Sequence, residues 1–539
     1  MKTLWRAGGP RDGAMTLAPD PAGEPLPAAL ARLEGFSGLI LVEPAGMAPE
    51  DCAPAEEARE VAARSEAEDA LAALPGFTVA IVAAELSGLA AALALACRAR
   101  AAAPEGAFAF SETSEGLVPA GATLWRLREL CGMGEAIGAV VRGARIEAVR
   151  AAAMGLVDVL APAPVLREAA AAMAPPVRRL PPRLFRTRLG RRIVRRQALG
   201  ELAARAAPRA MTAAVRLLFE EPNPALAAAA IAELAADPER RQLLRVERAK
   251  AALLGGPRAL PRRALVLTAE GGWQWAGALA QRGVKVRWCL KDARTLGDGL
   301  CWIMRDAERY SPERKERTAA CLSVSEERAG FAGRDLVVVD GTAPLTPAER
   351  RRLGTGAVVL VDRGKRAAEP SGAEDAEVAF GFDALTSRVC VLHGGGERAA
   401  AFLRGLGFMV LARHDAEPVF RCLDAFEARW RLLRESGAGE RKILGSLQAM
   451  GFATREAARR GRIHGSVPRA APDLAYELVC AMWQGLQGVA PSAAEGIDLA
   501  LILEAGFPAH RGGPLAFLEH VKAHPAVLRE IGLADRAPF

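Results

Sequence analysis

The chain has 539 residues, which is too long for a single hydrophobic core and predicts about three or four domains. Apolar residues make up 51% and charged residues 25% of the sequence, a balance typical of soluble globular proteins and not of disordered or fibrous ones. The formal net charge of +8 suits an acidic ligand such as a phosphate, but the presence of only 2 tyrosines argues against a nucleic-acid surface. None of the 9 cysteines forms a CxxC pair or a zinc-like cluster with histidine, so we expect no metal site and reduced thiols.

The N-terminal part contains the first recognisable strand, at residues 38–42, followed by a polar, proline-rich loop at 45–57. The first residues of the chain lack the apolar core of a signal peptide, which favours a cytoplasmic protein. Residues 77–97 are apolar enough to imitate a membrane span. Their alanine and glycine content instead favours a strand at 77–84 and a helix at 88–97.

Three short stretches follow that helix: FAFSETSEGLVP at 108–119, CGMGEA at 131–136 and AMGLVD at 153–158. Residues 160–260 are then rich in alanine, arginine and proline and are predicted to be helical. Nine arginines fall between Arg178 and Arg196. We interpret them as a solvated linker or helix face, with a docking patch as the alternative.

An α/β rhythm begins with a predicted buried strand at 263–267, which is followed by TAEGGWQW at 268–275. Further apolar strand runs alternate with helical segments, which indicates a mostly parallel sheet covered on both faces. These runs lie at 335–340, 357–362, 389–392 and 408–411.

The chain is predicted to be helical from about Asp415, and its most distinctive stretch is GIDLALILEAGFPAHRGGPL at residues 496–515. An apolar helical segment runs into Gly-Phe-Pro and then Arg-Gly-Gly-Pro, where paired glycines allow backbone angles that other residues avoid.

In their order, these stretches resemble the multifunctional fatty-acid β-oxidation proteins, which fuse an enoyl-CoA hydratase of the crotonase fold to an NAD-dependent 3-hydroxyacyl-CoA dehydrogenase. The resemblance covers most of the chain and is strongest at 77–160, 215–250 and 472–519. It implies an α/β multidomain chain with four parts: a degenerate crotonase-like domain (1–165), a helical linker (166–260), a Rossmann-like NAD-binding-type domain with a parallel sheet (261–414), and an all-helical dehydrogenase C-terminal-type domain (415–539).

The resemblance also implies residues for a crotonase site. The family's Gly-Gly-Gly-Cys-Glu run begins the catalytic helix, and a backbone N–H there polarises the thioester oxygen. This run falls on residues 88–92, so Gly88 is a candidate ligand-binding residue and Ala92 replaces the first catalytic glutamate. The second catalytic glutamate falls on Glu112. With one carboxylate we expect no hydratase site, whereas Glu112 alone suits an enoyl-CoA isomerase; a structural surface or salt-bridged role is the alternative.

For the dehydrogenase, the resemblance places the three glycines of the Gly-x-Gly-x-x-Gly fingerprint on Thr268, Glu270 and Trp273. Gly271 and Gly272 remain as displaced candidates for phosphate binding.

The acidic residue that would bind the ribose in such a fold is matched by Asp292. The family's catalytic histidine and its partner glutamate fall on Phe380 and Cys390, which cannot replace them chemically. NAD is therefore implied by the family and disfavoured by this sequence.

Two functions from different classes follow. The first is a degenerate homologue that binds an acyl-CoA thioester or a partner protein. The second is an active acyl-CoA enzyme of lipid metabolism, either a one-glutamate isomerase using Glu112 or a hydratase/dehydrogenase working through other residues. The family further implies a thiolase-like subunit or a homo-oligomer as partner, with no nucleic acid and no transmembrane segment.

Overall fold

The computed structural model describes residues 5–11, 14–20, 23–44, 65–119, 121–143, 145–176, 188–204, 208–268, 272–308, 312–340, 344–365, 375–382, 384, 387–411, 413–453 and 471–530. The chain divides into two compact units, Met1–Leu244 and Arg245–Phe539. Each unit has hydrophobic cores of its own.

The described strands of the first unit form two sheets. The strands are β1 (Trp5–Arg11), β2 (Ala14–Pro19), β3 (Leu39–Val42), β4 (Phe77–Val82), β5 (Glu85–Ser87), β6 (Ala99–Ala102), β7 (Ala107–Ala109), β8 (Ile146–Glu147) and β9 (Val159–Leu160). The larger sheet has the order β1-β2-β3-β4-β6-β9, and all its pairs except β1 with β2 are parallel. The smaller sheet has the order β5-β7-β8.

Strand β4 is buried on both faces, as expected for a parallel strand with structure packed above and below it. Val79 and Ile81 join one hydrophobic cluster, whereas Ala80 and Val82 join the other. The alternation follows from the two-residue period of a strand, which points successive side chains to opposite faces.

The described residues of this part of the chain also form helices. They are α1 (Leu26–Ala31), α2 (residues 65–73), α3 (Gly88–Ala96), α4 (Thr123–Cys131), α5 (Met133–Arg142), α6 (Ala148–Met154), α7 (Leu166–Ala171), α8 (Arg188–Ala204), α9 (Arg209–Phe219), α10 (Pro224–Ala235) and α11 (Pro238–Leu253). The last of these spans the boundary between the two units. The prediction of a strand followed by a helix within residues 77–97 is confirmed by β4 and α3. Among the described residues, no helix is long and apolar enough to cross a membrane.

The AMGLVD stretch has a structural role that its sequence did not reveal. Gly155 ends α6 in a left-handed conformation, with φ of +89°. The chain then passes the fully buried guanidinium of Arg100 on β6, which donates from Nε to the carbonyl of Leu156 (2.7 Å) and from Nη2 to Asp158 (2.8 Å). A buried arginine is tolerated because its donors are engaged in this way.

The second unit is built on an eight-stranded sheet. Its strands are β10 (Arg263–Leu267), β11 (Lys285–Cys289), β12 (Leu322–Ser325), β13 (Leu336–Asp340), β14 (Val358–Lys365), β15 (Ala376–Phe380), β16 (Val389–His393) and β17 (Met409–Leu411). The order is β12-β11-β10-β13-β14-β15-β16-β17, and all neighbours are parallel except β15 with β16. From β10 the chain adds β11 and β12 on one side of that strand, and it then adds β13 on the other side. Such a reversal is where open α/β sheets bind ligands, at the carboxyl ends of the strands.

The helices of the second unit are α12 (Trp273–Ala280), α13 (Ala293–Glu308), α14 (Pro312–Cys321), α15 (Pro347–Arg351), α16 (Gly396–Gly405), α17 (Arg413–Glu435), α18 (Glu440–Ala449), α19 (Asp473–Gly485), α20 (Ala494–Ala505), α21 (Pro514–Ala523) and α22 (Ala526–Glu530). From α17 onward the described chain is helical, in agreement with the pattern of the sequence.

The second of the paired glycines in residues 496–515, Gly513, is explained by a carboxylate that caps a helix. Asp498 on α20 accepts from the backbone N–H of Leu515 (2.7 Å) and of Ala516 (3.1 Å), in the first turn of α21. Gly513 has φ of +103°, and a Cβ there would lie 2.5 Å from Oδ1 of Asp498. Burial is the largest influence on the carboxyl of Asp498, and it raises the pKa to about 7.

We predict that Gly513→Ala lowers the stability of the second unit by about 2–4 kcal/mol, because the residue would combine a left-handed backbone with a clash against Asp498. The matched control is Gly496→Ala in the same stretch. Gly496 lies inside α20, where the atom nearest to a new Cβ, Leu253 Cδ1, would be 3.8 Å away. Alanine at this position should therefore raise the stability of the protein by about 0.5–1 kcal/mol. Thermal unfolding followed by circular dichroism measures both, and equal effects of the two changes would contradict the prediction.

His510 is a buried histidine in the short turn between α20 and α21. Burial, assisted by the charge of Arg511, lowers its pKa from 6.5 to about 3. Between these two values the folded state binds fewer protons than the unfolded state. The stabilising contribution of neutral His510 is therefore complete above about pH 6.5 and is lost as the pH falls toward about 3.

We predict that His510→Asn flattens the acid side of the stability profile, because asparagine cannot take up the proton that the unfolded histidine binds. At about pH 5 the pH-dependent loss in the natural protein should exceed that in the variant by about 2 kcal/mol. Melting temperatures measured from about pH 8 to about pH 5 give this difference. Two parallel curves, offset by a constant amount, would show that His510 does not contribute in this way.

Candidate functional site

The small sheet of the first unit brings two of the predicted site residues to one edge. Strands β5 and β7 are parallel, and Ser87 is the register partner of Ala109. Gly88 directly follows β5, and Glu112 lies three residues after β7. Because the carboxyl ends of parallel neighbours meet at one edge of a sheet, the two candidates share that edge.

Gly88 forms the turn from β5 into α3. Its φ is +52°, in the left-handed region that favours glycine, and a Cβ at this position would point into open space, with no atom beyond its chain neighbours and its own helix within 4 Å. The first N–H groups of a helix lack partners within the helix and carry partial positive charge. The start of α3 therefore has the backbone chemistry that a developing oxyanion requires.

Glu112 lies in a short 3-10 turn, Ser111–Thr113, and its carboxylate oxygen Oε2 is enclosed by protein. The turn is anchored at two points. The N–H of Leu117 donates to the carbonyl of Glu112 (2.8 Å), and the hydroxyl of buried Thr113 donates to the carbonyl of Val140 on α5 (2.5 Å). The backbone around Glu112 is thus fixed, which is a requirement for a positioned acid or base.

Ala92, where the resemblance places the first catalytic glutamate, is buried inside α3. No titratable group is supplied by this position. The polar, proline-rich loop predicted at 45–57 lies outside the described residues.

Sequence reasoning missed a buried carboxylate in this unit, Glu68 on α2. It accepts from the N–H of Ala122 (3.2 Å) and the hydroxyl of Thr123 (3.3 Å) at the start of α4, and it forms an ion pair with Arg126. Burial raises its pKa to about 7 and outweighs the opposing effect of Arg126. No signal in the sequence points to it, because Glu68 is one of several acidic residues in an ordinary helical segment and only the packing selects it.

In the second unit, a glycine follows the carboxyl end of β10, but the side chain of Thr268 occupies the space beside this glycine. Gly272 is left-handed, with φ of +79°, and immediately precedes α12. A Cβ on Gly272 would lie 2.5 Å from Cγ2 of Thr268, so the threonine side chain occupies this corner. Gly271, the other displaced glycine, lies outside the described residues.

The first residue of α12 presents an indole where a dinucleotide fold needs close approach to phosphate. The ring of Trp273 stacks on that of Trp302 from α13, with centroids 5.4 Å apart. Gly299 permits this close packing, because a Cβ there would lie 2.9 Å from Cβ of Trp273.

Asp292 is placed after β11, at the same edge of the sheet, but it acts as the N-terminal cap of α13. It accepts from the N–H groups of Arg294 (3.1 Å) and Thr295 (3.3 Å) and from the hydroxyl of Thr295. These hydrogen bonds, led by the one from the Thr295 hydroxyl, lower the pKa of its exposed carboxyl. Aspartate is a preferred residue at the position before a helix, so these contacts give Asp292 a structural role, while its binding to a ribose stays a prediction.

Phe380 and Cys390, the positions to which the resemblance assigns the catalytic groups of the dehydrogenase, are buried in the hydrophobic core. Phe380 packs edge-on against Trp275 (5.5 Å between centroids) and against Phe408 (5.2 Å). Trp275 Nε1 donates to Asp362 at 2.8 Å. Cys390 is fully buried, and burial together with the charge of Glu504 raises the pKa of its thiol.

Glu504 on α20 is a second buried carboxylate that sequence reasoning missed. It accepts from the hydroxyl of Ser387 (2.7 Å) and from the N–H groups of Arg388 (2.7 Å) and Val389 (3.2 Å) at the start of β16. The carboxylate therefore ties the helical part of this unit to its sheet.

Comparison with known proteins gives a match for part of the first unit. A family described as enoyl-CoA hydratase/isomerase matches residues 46–205, so this segment is a crotonase-type domain. No curated protein matches the chain.

Several solved structures are similar to part of the chain. An enoyl-CoA hydratase from Mycobacterium avium subsp. paratuberculosis K-10 is 19% identical, with 44% of this chain and 93% of that chain covered and a TM-score of 0.31. A putative enoyl-CoA hydratase/isomerase from Bordetella parapertussis is 18% identical, with 46% and 99% covered and a TM-score of 0.30. An enoyl-CoA hydratase/carnithine racemase from Magnetospirillum magneticum is 21% identical, with 31% and 74% covered and a TM-score of 0.27.

Proposed function

We propose that this chain is a degenerate relative of the bifunctional hydratase/dehydrogenase proteins of fatty-acid β-oxidation, and that its first unit binds an acyl-CoA thioester without hydrating it. One observation carries the proposal. Gly88 and Glu112 lie at the same edge of the small sheet, whereas the position of the first catalytic glutamate is the buried Ala92.

The chemistry of hydration explains why the loss of one carboxylate matters. Adding water across a conjugated double bond requires one group to position the water and another to deliver a proton to the adjacent carbon. A thioester oxygen at the start of α3 would still meet polarising N–H groups, because these depend on the backbone. Binding can therefore persist after the reaction is lost, and the fold alone does not establish activity.

A second function is favoured by the retained Glu112 and its anchored turn. A single carboxylate can remove a proton from the carbon beside the thioester carbonyl and return it two carbons further along the chain. This moves a double bond and consumes no water.

For the second unit, we propose a dehydrogenase-type fold that has lost its reaction and binds no NAD. Thr268 and Trp273 occupy the phosphate corner, Asp292 caps a helix, and Phe380 stands in the aromatic core in place of a catalytic histidine. Its remaining role would be interaction with a partner, such as a thiolase-like subunit or a second copy of the chain.

We predict micromolar binding of acetyl-CoA or a medium-chain enoyl-CoA, measured by isothermal titration calorimetry and followed by product analysis. Glu112→Gln is the informative variant, because it keeps the size of the side chain and removes the base. Glu115→Gln, three residues further along the chain, is the matched control. Binding without turnover in all three proteins supports the degenerate homologue.

Other outcomes separate the alternatives. Double-bond migration that falls by about 100-fold or more in Glu112→Gln, and not in Glu115→Gln, would establish the one-carboxylate isomerase. If neither thioester binds, the acyl-CoA proposal is overturned, and the remaining proposal is a homologue that binds a partner protein.

We also predict that NADH does not raise the melting temperature, even at millimolar concentration, because the phosphate corner is filled by side chains. The measurement is a thermal shift with NADH, with free CoA run in parallel to report on the first unit. A clear rise with NADH would contradict the proposal for the second unit, since a ligand that binds the folded state must stabilise it.

A further inference from the structure

Helix α8 of the first unit has two apolar faces. Its inner face packs Val194, Ala198 and Leu199 against the hydrophobic core. Its outer face carries Leu189, which is 69% exposed, and Ile193, which is 54% exposed. These two lie four residues apart and therefore form one continuous apolar strip on the helix surface.

The arginines of α8 are divided between the flanks and the outer face. On the flanks, Arg191 pairs with Glu221 (3.5 Å) and Arg195 pairs with Glu220 (2.9 Å). Arg192 and Arg196 lie on the outer face beside Leu189 and Ile193, and they are exposed. Within the part of the chain that the structure describes, neither has an acidic partner. We call Leu189, Arg192, Ile193 and Arg196 together the outer face.

The surrounding sequence is strongly basic. Residues 169–200 contain nine arginines and no aspartate or glutamate. A partner for the outer face must therefore supply negative charge and accept apolar side chains. A second copy docking through the same face would set arginine against arginine, because a two-fold contact pairs a surface with itself. Such a contact is electrostatically unfavourable.

We propose that the outer face of α8 binds the surface of an anionic phospholipid bilayer, with the helix lying in the plane of the interface. Arginines that flank exposed aliphatic side chains are the pattern of interfacial helices, in which the apolar residues enter the headgroup boundary and the cations meet lipid phosphates. Only two large apolar side chains are available, so the binding is reversible and depends on salt. The proposal does not rest on the activity of the crotonase-type site.

The test is co-sedimentation of the full chain with vesicles of phosphatidylglycerol and phosphatidylcholine in equal parts, and with phosphatidylcholine alone. The natural protein should bind the anionic vesicles and lose binding in high salt. Arg192→Gln with Arg196→Gln should weaken binding by roughly 25-fold, since each arginine near an anionic surface contributes roughly fivefold. Leu189→Ser with Ile193→Ser should weaken it by roughly tenfold or more.

The matched control is Arg216→Gln with Arg241→Gln, which removes the same charge from exposed positions on α9 and α11. It should retain most of the binding. Circular dichroism checks that every variant is folded. Failure of the natural protein to bind anionic vesicles would overturn the proposal, and so would an equal loss in the control pair. A change of oligomeric state in Leu189→Ser with Ile193→Ser, without vesicle binding by the natural protein, would instead identify the outer face as a protein interface.

Discussion

The parallel pairing of β5 with β7 is the contact on which the candidate site depends. Two short strands of three residues each set the register of Ser87 against Ala109, and the residues that follow them leave the sheet at the same edge. One strand turns through Gly88 into a helix, and the other turns into the 3-10 segment that carries Glu112. A shift of the register by one residue would exchange the faces of every side chain and separate the two.

Two positions at which the resemblance places a titratable catalytic group, one in each unit, are buried and apolar in this chain. Ala92 fills a core position of α3, and Phe380 joins an aromatic cluster with Trp275 and Phe408. A buried charge is costly unless it is paired, so an apolar side chain at either position carries no such desolvation cost. Both side chains therefore contribute to packing and neither supplies a titratable group.

The charges that remain buried have structural partners. Glu68 holds the start of α4, Asp498 holds the start of α21, and Glu504 holds the start of β16. In each case a carboxylate accepts backbone N–H groups that the element cannot satisfy itself. Burial raises the pKa of Glu68 and of Asp498 to about 7, the range often associated with catalysis. The hydrogen bonds at all three show that a structural role can account for such a residue.

The sequence was sufficient where local chemistry decides the structure. Apolar runs predicted β4, β10, β13 and β17, because strands buried on both faces need continuous apolar residues. The glycines of Arg-Gly-Gly-Pro predicted unusual backbone angles, and Gly512 and Gly513 have them. The positions of Gly88 and Glu112 were found by resemblance, and their roles stay predictions.

The sequence by itself determined that these segments are strands, helices and glycine turns, since those preferences arise within a few residues. Only the tertiary structure decided which side chains share an edge, which carboxylates are buried and which arginines have partners. Asp292 illustrates the difference: its distance from β10 suggested a ribose ligand, which stays a prediction, and only the structure shows that it caps α13. Contacts between residues far apart in the chain depend on packing and strand register, and neither is written in the spacing of a single segment.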